Sequence, residues 1–300
     1  MIPEKLRNEL EQQHYKIVGG HSAVKTCYWT RRSLEGKGVC YKQLWYGIQS
    51  HRCMQMTPNI TCDQSCRFCW RVVERTALAK LKDFDEPKDI IDGCIAEHRR
   101  NISGFLGTEM TDRKLWKEAQ NPTNAAISLL GEPLLYQKMS ELLKEFRKRK
   151  ITTFVVTNGQ HPKEMLGMGE PTQLYVSLDA PDKATYLKTD RPANKDYWKR
   201  LNDALEAMNS FKCSTVVRVT AVKDLNMTNP ECYAKLIKLA NPRYVEVKGF
   251  MHVGEAQKRL PRSAMPTHDE VKEFGLDIAK HLGYNLAGEQ KPSRVVLLKA

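Results

Sequence analysis

The chain has 300 residues, of which 41% are hydrophobic and 28% are charged. This composition is typical of a globular protein and excludes disordered, collagen-like and membrane-spanning architectures. Lys and Arg outnumber Asp and Glu, and the net charge of +13 favours a polyanionic partner such as nucleic acid. No apolar run approaches the roughly 18 residues that a membrane span needs, and the N-terminus lacks the apolar core of a secretion signal. We therefore expect a cytoplasmic protein without membrane contact.

The first part of the chain shows little regular patterning. Residues 4–16 predict a short amphipathic helix, whereas residues 17–61 are rich in Gly, aromatic residues and Arg without clear periodicity. We interpret residues 1–53 as an irregular N-terminal lobe and residues 54–300 as a second region with a C-terminal extension, the two forming one integrated domain.

The second region alternates apolar runs of strand length with segments of helical period. This alternation predicts a parallel sheet covered by helices, and roughly six such units favour an α/β fold of the partial (β/α)6 TIM-barrel type. An open α/β sheet is the alternative. The predicted strands are Ala125–Leu130, Ile151–Val156, Leu174–Leu178, Ser214–Val222, Tyr244–Val247 and Arg294–Leu298. The predicted helices are 87–103, 133–149, 195–210, 229–240 and 267–282.

Three of the nine cysteines lie in the short segment Cys62-Asp-Gln-Ser-Cys66-Arg-Phe-Cys69. This spacing lets one tight loop direct three thiolates at one point, and thiolates are soft ligands for iron–sulfur clusters or zinc. A cubane cluster has four irons, so three thiolates leave one iron open for an exogenous ligand. A zinc knuckle that lacks its fourth ligand is the alternative.

A second set consists of Cys27, Cys40 and Cys53, with twelve residues between neighbours in both gaps. The set lies in the lobe that lacks a regular core, where a metal group would stabilise the fold. We expect a second four-iron cluster. Zinc completed by His21 or His51 and three unrelated core cysteines are the alternatives. The remaining cysteines, which lack such spacing, are read as packing residues: Cys94, Cys213 and Cys232.

Polar turns follow three of the predicted strands. In a barrel, functional residues gather at the C-terminal ends of the strands, and a carboxylate in such a turn suits a ligand ammonium group. The candidate ligand-binding residues in these turns are Gly131, Glu132, Pro133, Thr157, Asn158, Ser177 and Asp179.

The C-x3-C-x2-C spacing, with Phe68 before the last cysteine, resembles the radical S-adenosylmethionine (SAM) superfamily, and so do the turns in their order. The resemblance implies that Cys62, Cys66 and Cys69 hold a [4Fe-4S] cluster whose open iron binds SAM. Reductive cleavage of SAM would then give a 5′-deoxyadenosyl radical. It further implies that the turn residues named above contact SAM, with Glu132 at its amino group.

Two longer stretches narrow the resemblance. The chain resembles the archaeal wyosine-base synthases of tRNA in its two cysteine sets and in two longer segments. These segments are TPNITCDQSCRFCWR from Thr57 and VKGFMHVGEAQKRLP from Val247. The resemblance implies two [4Fe-4S] clusters, SAM, and a carbon–carbon lyase-type reaction that joins N1-methylguanosine-37 of tRNA-Phe to pyruvate. Eukaryotic relatives carry a flavodoxin-like domain that this chain has no room for. We therefore expect an external electron donor, and we separately expect a monomer.

Lys42 lies two residues after Cys40 and is the candidate catalytic residue. A lysine amine can hold and activate a carbonyl substrate as a Schiff base, and the resemblance favours that role toward pyruvate. A solvated basic residue is the alternative. The basic, glycine-containing segment 248–262 is expected to contact the tRNA anticodon loop or the substrate base.

Two other functions stay open on the sequence. One is a two-cluster radical SAM enzyme with a different substrate, and the other is a zinc-stabilised RNA-binding protein without catalysis.

Overall fold

The computed structural model describes residues 2–73 and 83–300, which include every candidate site residue. These residues form two compact units, one of residues 2–61 and 83–155 and one of residues 62–73 and 156–300. The strands among them are β1 (Lys16–Val18), β2 (Ser22–Lys25), β3 (Cys53–Thr57), β4 (Asn124–Ile127), β5 (Thr152–Thr157), β6 (Gln173–Ser177), β7 (Ser214–Ala221), β8 (Tyr244–Gly249), β9 (Asn285–Gln290) and β10 (Val295–Lys299). The α-helices are α1 (Glu4–Gln12), α2 (Tyr28–Leu34), α3 (Tyr41–Tyr46), α4 (Pro87–Ser103), α5 (Arg113–Ala119), α6 (Met139–Lys148), α7 (Pro162–Gly167), α8 (Lys183–Thr189), α9 (Tyr197–Ala207), α10 (Pro230–Ala240) and α11 (His268–Leu282).

In the first unit, an antiparallel ribbon leads into parallel strands. β1 pairs with β2 and β2 with β3 in antiparallel fashion, whereas β3, β4 and β5 are parallel. All four residues of β4 are buried, as expected for a parallel strand covered on both faces. The pairing of Cys53 with Asn124 places the first residue of β3 beside the start of β4.

In the second unit, β6, β7 and β8 are parallel, and β10 is antiparallel to both β8 and β9. The parallel strands agree with the prediction. The C-terminal pair differs from it, because the link between β9 and β10 is a short turn over Lys291–Ser293, too short for a crossover helix. β9 was not predicted, since its NLAGEQ sequence is polar and glycine-containing and alternates between exposed and half-buried positions.

The predicted helices are confirmed, and one of them is divided. α4 has the predicted bounds, and α11 begins at a capping box in which Thr267 and Glu270 satisfy each other's backbone N–H groups. The predicted helix 133–149 is divided into a 3-10 turn at Pro133–Leu135 and α6. Among the described residues, no helix is both long and apolar enough to cross a membrane.

The N-terminal stretch is more regular than its sequence pattern indicated. Within residues 17–61, the structure contains β2, β3, α2 and α3 and a 3-10 turn at Ser50–Arg52. The strands and helices there have four to seven residues. Elements this short complete at most two helical turns and therefore give little periodic signal.

A buried histidine in α4 should make the stability of the first unit depend on pH. Burial lowers the pKa of His98 from 6.5 to about 4, although its hydrogen bond to the carbonyl of Ala119 opposes the shift. The neutral ring is favoured in the folded state, so its stabilisation is complete above pH 6.5 and is lost as the pH falls toward 4. Linkage gives a loss of about 2 kcal/mol at pH 5.

The His98→Gln variant keeps a donor for Ala119 but does not titrate. Urea unfolding at pH 7.5 and pH 5 should show that the wild type loses about 2 kcal/mol more than this variant does. Equal losses in both proteins would show that His98 does not carry the effect.

Candidate functional site

The Cys62, Cys66 and Cys69 loop opens the second unit, and each of its thiols has a polar neighbour. The side-chain amide of Asn158 lies 4.0 Å from the sulfur of Cys62, and the Arg71 guanidinium donates to the sulfur of Cys69 at 3.7 Å. The Cys66 thiol donates to Gln64 at 3.4 Å and to Asp190 at 3.6 Å. The loop therefore surrounds its sulfurs with groups that can position them.

These thiols fit an iron–sulfur group. Burial raises the pKa of Cys66 well above its ordinary value, and negative charge on Asp190, Cys69 and Cys62 raises it further. Three thiolates crowded in this way repel one another unless a cationic centre offsets their charge. N–H groups directed at sulfur, such as those of Arg71 and Asn158, are among the contacts that tune such clusters.

One side of the loop is held by the last residue of α8 and by the chain that follows it. Backbone N–H groups of Ser65 and Arg67 donate to the carbonyls of Asp190 and Thr189 at 3.2 and 2.9 Å. In the other direction, Ala193 N–H donates to the carbonyl of Asp63 at 2.9 Å. These bonds fix the backbone on both sides of Cys66.

The other side is held by the segment after β8. The N–H of Glu255 donates to the carbonyl of Trp70 at 3.0 Å, and Gly254 has a φ of +57°. A Cβ on Gly254 would overlap the same Trp70 carbonyl, so glycine is needed here for both conformation and space. Phe68 packs against a buried cluster that includes Phe250 and Leu260.

Arg259 also holds this side of the cysteine loop. Its guanidinium donates to three backbone carbonyls of the loop, those of Cys69, Arg71 at 3.2 Å and Arg67 at 3.4 Å. A cation that binds several carbonyls at once holds them in a single arrangement. Arg259 is therefore a positioning residue for the last cysteine of the set.

Replacing Arg259 should loosen the loop. A hydrogen bond from a charged group contributes about 1.5–3 kcal/mol, so Arg259→Gln should speed amide exchange in residues 66–71 at least about tenfold. The matched control is Arg262→Gln, which alters an exposed arginine three residues further on. Hydrogen–deuterium exchange read by mass spectrometry checks this, and equal exchange in both variants would contradict this role of Arg259.

Asp63 links the cysteine loop to the turn after β5 and was not among the predicted site residues. Its carboxylate accepts hydrogen bonds from Asn158 at 2.9 Å, His161 at 3.1 Å and Asn194 at 2.7 Å. Burial acts to raise the pKa of Asp63, but the hydrogen bonds from His161 and Asn158 keep it below its ordinary value. Its place directly after Cys62 was the available signal, since a loop residue next to a ligand can orient that ligand.

Among the predicted turn residues in this unit, Asn158 hydrogen-bonds to the cysteine loop. Thr157 accepts from Gly159 N–H at 3.2 Å, and Ser177 lies opposite Arg218 in the sheet. Asp179 is buried and accepts from the N–H of Thr220. Burial raises the pKa of Asp179 to about 6 against the opposing effect of that bond. Contact of these residues with SAM stays a prediction.

Gly131, Glu132 and Pro133 lie in the first unit, against the chain that leads to Cys62. Glu132 N–H donates to the carbonyl of Thr61 at 2.7 Å, and Gly131 has a φ of +71°. A Cβ on Gly131 would overlap the carbonyls of Asn59 and Thr61. The Glu132 side chain is buried and accepts from Leu134 N–H at 3.1 Å, and Pro133 begins the 3-10 turn.

The second cysteine set lies in the first unit, with two of its members at helix starts. Cys27 precedes α2, and Cys40 precedes α3 and accepts from Lys42 N–H at 3.5 Å. Cys53 begins β3 and accepts from Asn124 at 3.2 Å. Burial and the charge of Cys27 raise the pKa of Cys53 to about 12, against the opposing effects of Asn124 and Lys42. The positive ends of two short helices and a buried lysine charge suit thiolate ligands.

Lys42 is buried beside this set, with 7% of its surface exposed. Its ammonium lies 4.9 Å from the centre of the Phe154 ring, and its charge lowers the pKa of Cys53. The alternative of a solvated surface lysine is therefore wrong.

The two histidines considered for zinc have other partners. His21 contacts the carbonyl of Pro58 through Nδ1 at 2.6 Å and accepts from Asp85 N–H through Nε2 at 2.8 Å, and His51 pairs with Glu118 at 2.7 Å. Within residues 2–73 and 83–300, no three His, Cys, Asp or Glu side chains form a site for a single metal ion. Cluster binding by either set therefore rests on the thiol chemistry and is a proposal.

Comparison with known proteins defines the class. Residues 56–237 match the model of the Radical SAM superfamily, and residues 239–300 match the model for wyosine base formation. The chain belongs to the radical SAM superfamily of enzymes, as its cysteine spacing predicted. The boundary between the two matches, at residue 238, lies within α10.

Full-length relatives define the particular family. The chain is 46% identical to the S-adenosyl-L-methionine-dependent tRNA 4-demethylwyosine synthase of Pyrococcus horikoshii, over 99% of this chain and 89% of that one. It is 38% identical to the human protein of that name, TYW1, of which it covers 41%. It belongs to the tRNA 4-demethylwyosine synthase family.

Two solved structures of this family share the fold. One is described as TYW1 with a lysine-pyruvate adduct bound. It matches this chain with a TM-score of 0.91 at 37% identity, and the alignment covers all of this chain and 96% of that one. The other is archaeal TYW1, with a TM-score of 0.82 at 33% identity over 100% and 96% of the two chains. The α/β fold class and the family resemblance drawn from the sequence are both confirmed.

Proposed function

We propose that this chain condenses N1-methylguanosine-37 of tRNA-Phe with two carbons of pyruvate to form the tricyclic 4-demethylwyosine base. Its full-length similarity to tRNA 4-demethylwyosine synthases supports the reaction class. The net charge of +13 supports a tRNA substrate.

The observation that carries the proposal is the burial of Lys42 beside Cys40 and Cys53. A Schiff base forms on a neutral lysine amine, and a closed site favours it because bound pyruvate is held there and water is limited. In forming it, the Lys42 nitrogen adds to the keto carbon of pyruvate, and the keto oxygen leaves as water. A lysine–pyruvate adduct described in a structural relative supports this role.

The two cysteine sets have separate roles in this proposal. Cys62, Cys66 and Cys69 would hold one [4Fe-4S] cluster, and Cys27, Cys40 and Cys53 would hold a second. A reduced cluster with SAM supplies a carbon radical able to remove hydrogen from a methyl group. Asp63, Arg71 and Arg259 hold the first cysteine loop in place, and Asn124 and the start of α3 direct N–H groups at the second set.

We place the reaction in the cytoplasm, with the chain acting as a monomer and an external protein or small molecule as electron donor. The proposed contacts for SAM remain the turn residues Gly131, Glu132, Pro133, Thr157, Asn158, Ser177 and Asp179.

An anaerobic assay with dithionite, SAM, pyruvate and N1-methylated tRNA-Phe tests the proposal. We expect the tricyclic base, detected by mass spectrometry of the digested tRNA, together with 5′-deoxyadenosine. Omission of pyruvate is the control and should leave the methylated nucleoside unchanged.

Two results would contradict the proposal in different ways. Release of 5′-deoxyadenosine without the tricyclic base would indicate a radical SAM enzyme with another substrate. A colourless protein that contains zinc and releases no 5′-deoxyadenosine would instead indicate a binding module.

A further inference from the structure

The second unit contains an open cavity of about 490 Å³ that is lined entirely by cations. Such a volume lies within the range of about 300–1,000 Å³ typical of small-ligand sites, large enough for a nucleotide-sized group. The lining residues are Arg67, Lys188, Arg191, Lys258 and Arg259. Arg67 lies between Cys66 and Cys69, so the cavity borders the cysteine loop.

The cavity is built from three backbone segments that are bonded together. The cysteine loop is tied at Arg67 to the carbonyl of Thr189 at 2.9 Å, next to Lys188 and Arg191. The Arg259 guanidinium binds the loop carbonyls, and the Arg67 guanidinium donates to the carbonyl of Arg259 at 3.5 Å. The five cations are thus carried on connected backbone rather than on independent loops.

Only some of these five cations have ion-pair or hydrogen-bond partners that engage their charge within the part of the protein that the structure describes. Arg259 is engaged with carbonyls, and Lys258 pairs with Glu255 at 2.8 Å. Lys188 and Arg191 are exposed and form no ion pair with any residue of the described chain. Five like charges facing one space repel one another, and an anion that bridges them removes that cost.

We infer that this cavity binds the phosphodiester backbone of the RNA substrate and holds the strand beside the cysteine loop. Arg forks and Lys ammonium groups are the usual partners of phosphate oxygens, and several cations in one open cavity suit consecutive phosphates of a strand. Such contacts position the RNA without reading its bases. The inference rests on the proposed function, because it takes RNA as the substrate.

The test is tRNA binding by the double variant Lys188→Gln/Arg191→Gln. The matched control is Lys238→Gln/Arg243→Gln, which removes the same two types of exposed cation outside the cavity. Binding of N1-methylated tRNA-Phe is measured from 50 to 300 mM salt. We expect the cavity variant to bind about tenfold more weakly at 150 mM salt, with a salt slope smaller by about two, whereas the control keeps the wild-type values.

A competition experiment distinguishes the source of the phosphate. Inorganic pyrophosphate should displace the tRNA only at concentrations far above those of the RNA. Displacement at comparable concentrations would make the cavity a small-phosphate site and would overturn the inference, as would equal affinities and slopes for the two double variants or a lack of tRNA binding by the wild type.

The outcomes separate this inference from the proposed function. If the wild type binds tRNA through these cations but makes no tricyclic base, the phosphate site stands and the function fails. If the base is made and both double variants bind tRNA alike, the function stands and the phosphate site fails. Circular dichroism and iron content report whether each variant is folded.

Discussion

The Cys66→Ala variant is expected to release no 5′-deoxyadenosine above background, a loss of at least about a thousandfold that corresponds to about 4 kcal/mol of activation free energy. Cys66 is the middle thiol of its set, and its neighbours Cys62 and Cys69 cannot hold a cubane corner in its place. Iron should fall from about eight atoms per chain to about four, because the second cysteine set is intact in this variant.

Two further variants serve as controls for this experiment. Cys27→Ala should also reduce iron to about four per chain but retain SAM cleavage, because it alters only the second set. Cys232→Ala, at the beginning of α10 and outside both sets, should keep about eight iron atoms and full activity. A Cys66→Ala protein with unchanged iron and SAM cleavage would remove the basis for the first cluster.

The first cysteine set and the helical segments could be proposed from the sequence because their signals are local. Three thiols within eight residues form a set in any compact loop, and α4 and α11 are long enough for their apolar period to show. The position of Lys42 beside Cys40 was predictable for a similar reason, since the two residues are two apart in the sequence.

The residues that hold the cysteine loop in place could not be predicted, because their role depends on contacts between segments that are distant in the sequence. Arg259 is 190 residues from Cys69, whose carbonyl it binds, and Asn194 is 131 residues from Asp63. Nothing in the sequence around Arg259 distinguishes it from Arg262, which is exposed. Tertiary hydrogen bonding alone separates a positioning arginine from a surface one.

The position of a polar residue after a strand was also an ambiguous indication, because such a residue can stabilise the fold instead of binding a ligand. Asp179 follows a strand, as a ligand-binding carboxylate would, but its side chain accepts from the backbone of β7 and it is buried. Capping of backbone N–H groups and binding of a ligand use the same carboxylate chemistry, so sequence position alone does not separate them.

Lys42→Arg should abolish covalent capture of pyruvate while leaving both clusters in place. Arginine keeps the positive charge beside Cys53, but its guanidinium does not form a Schiff base under these conditions. Borohydride reduction in the presence of labelled pyruvate should therefore label the wild type and leave the variant unlabelled. Formation of the tricyclic base should fall at least about a hundredfold, since even a small misplacement of reacting groups has an effect of that size.

The matched control for Lys42 is Lys37→Arg, in the same part of the chain but partly exposed and paired with Glu35 at 3.2 Å. It should be labelled as strongly as the wild type. Iron content should be equal in all three proteins, so a loss of labelling cannot be attributed to a lost cluster. Equal labelling of Lys42→Arg and the wild type would show that another amine captures pyruvate, and it would leave the buried lysine with only an electrostatic effect on the thiols around it.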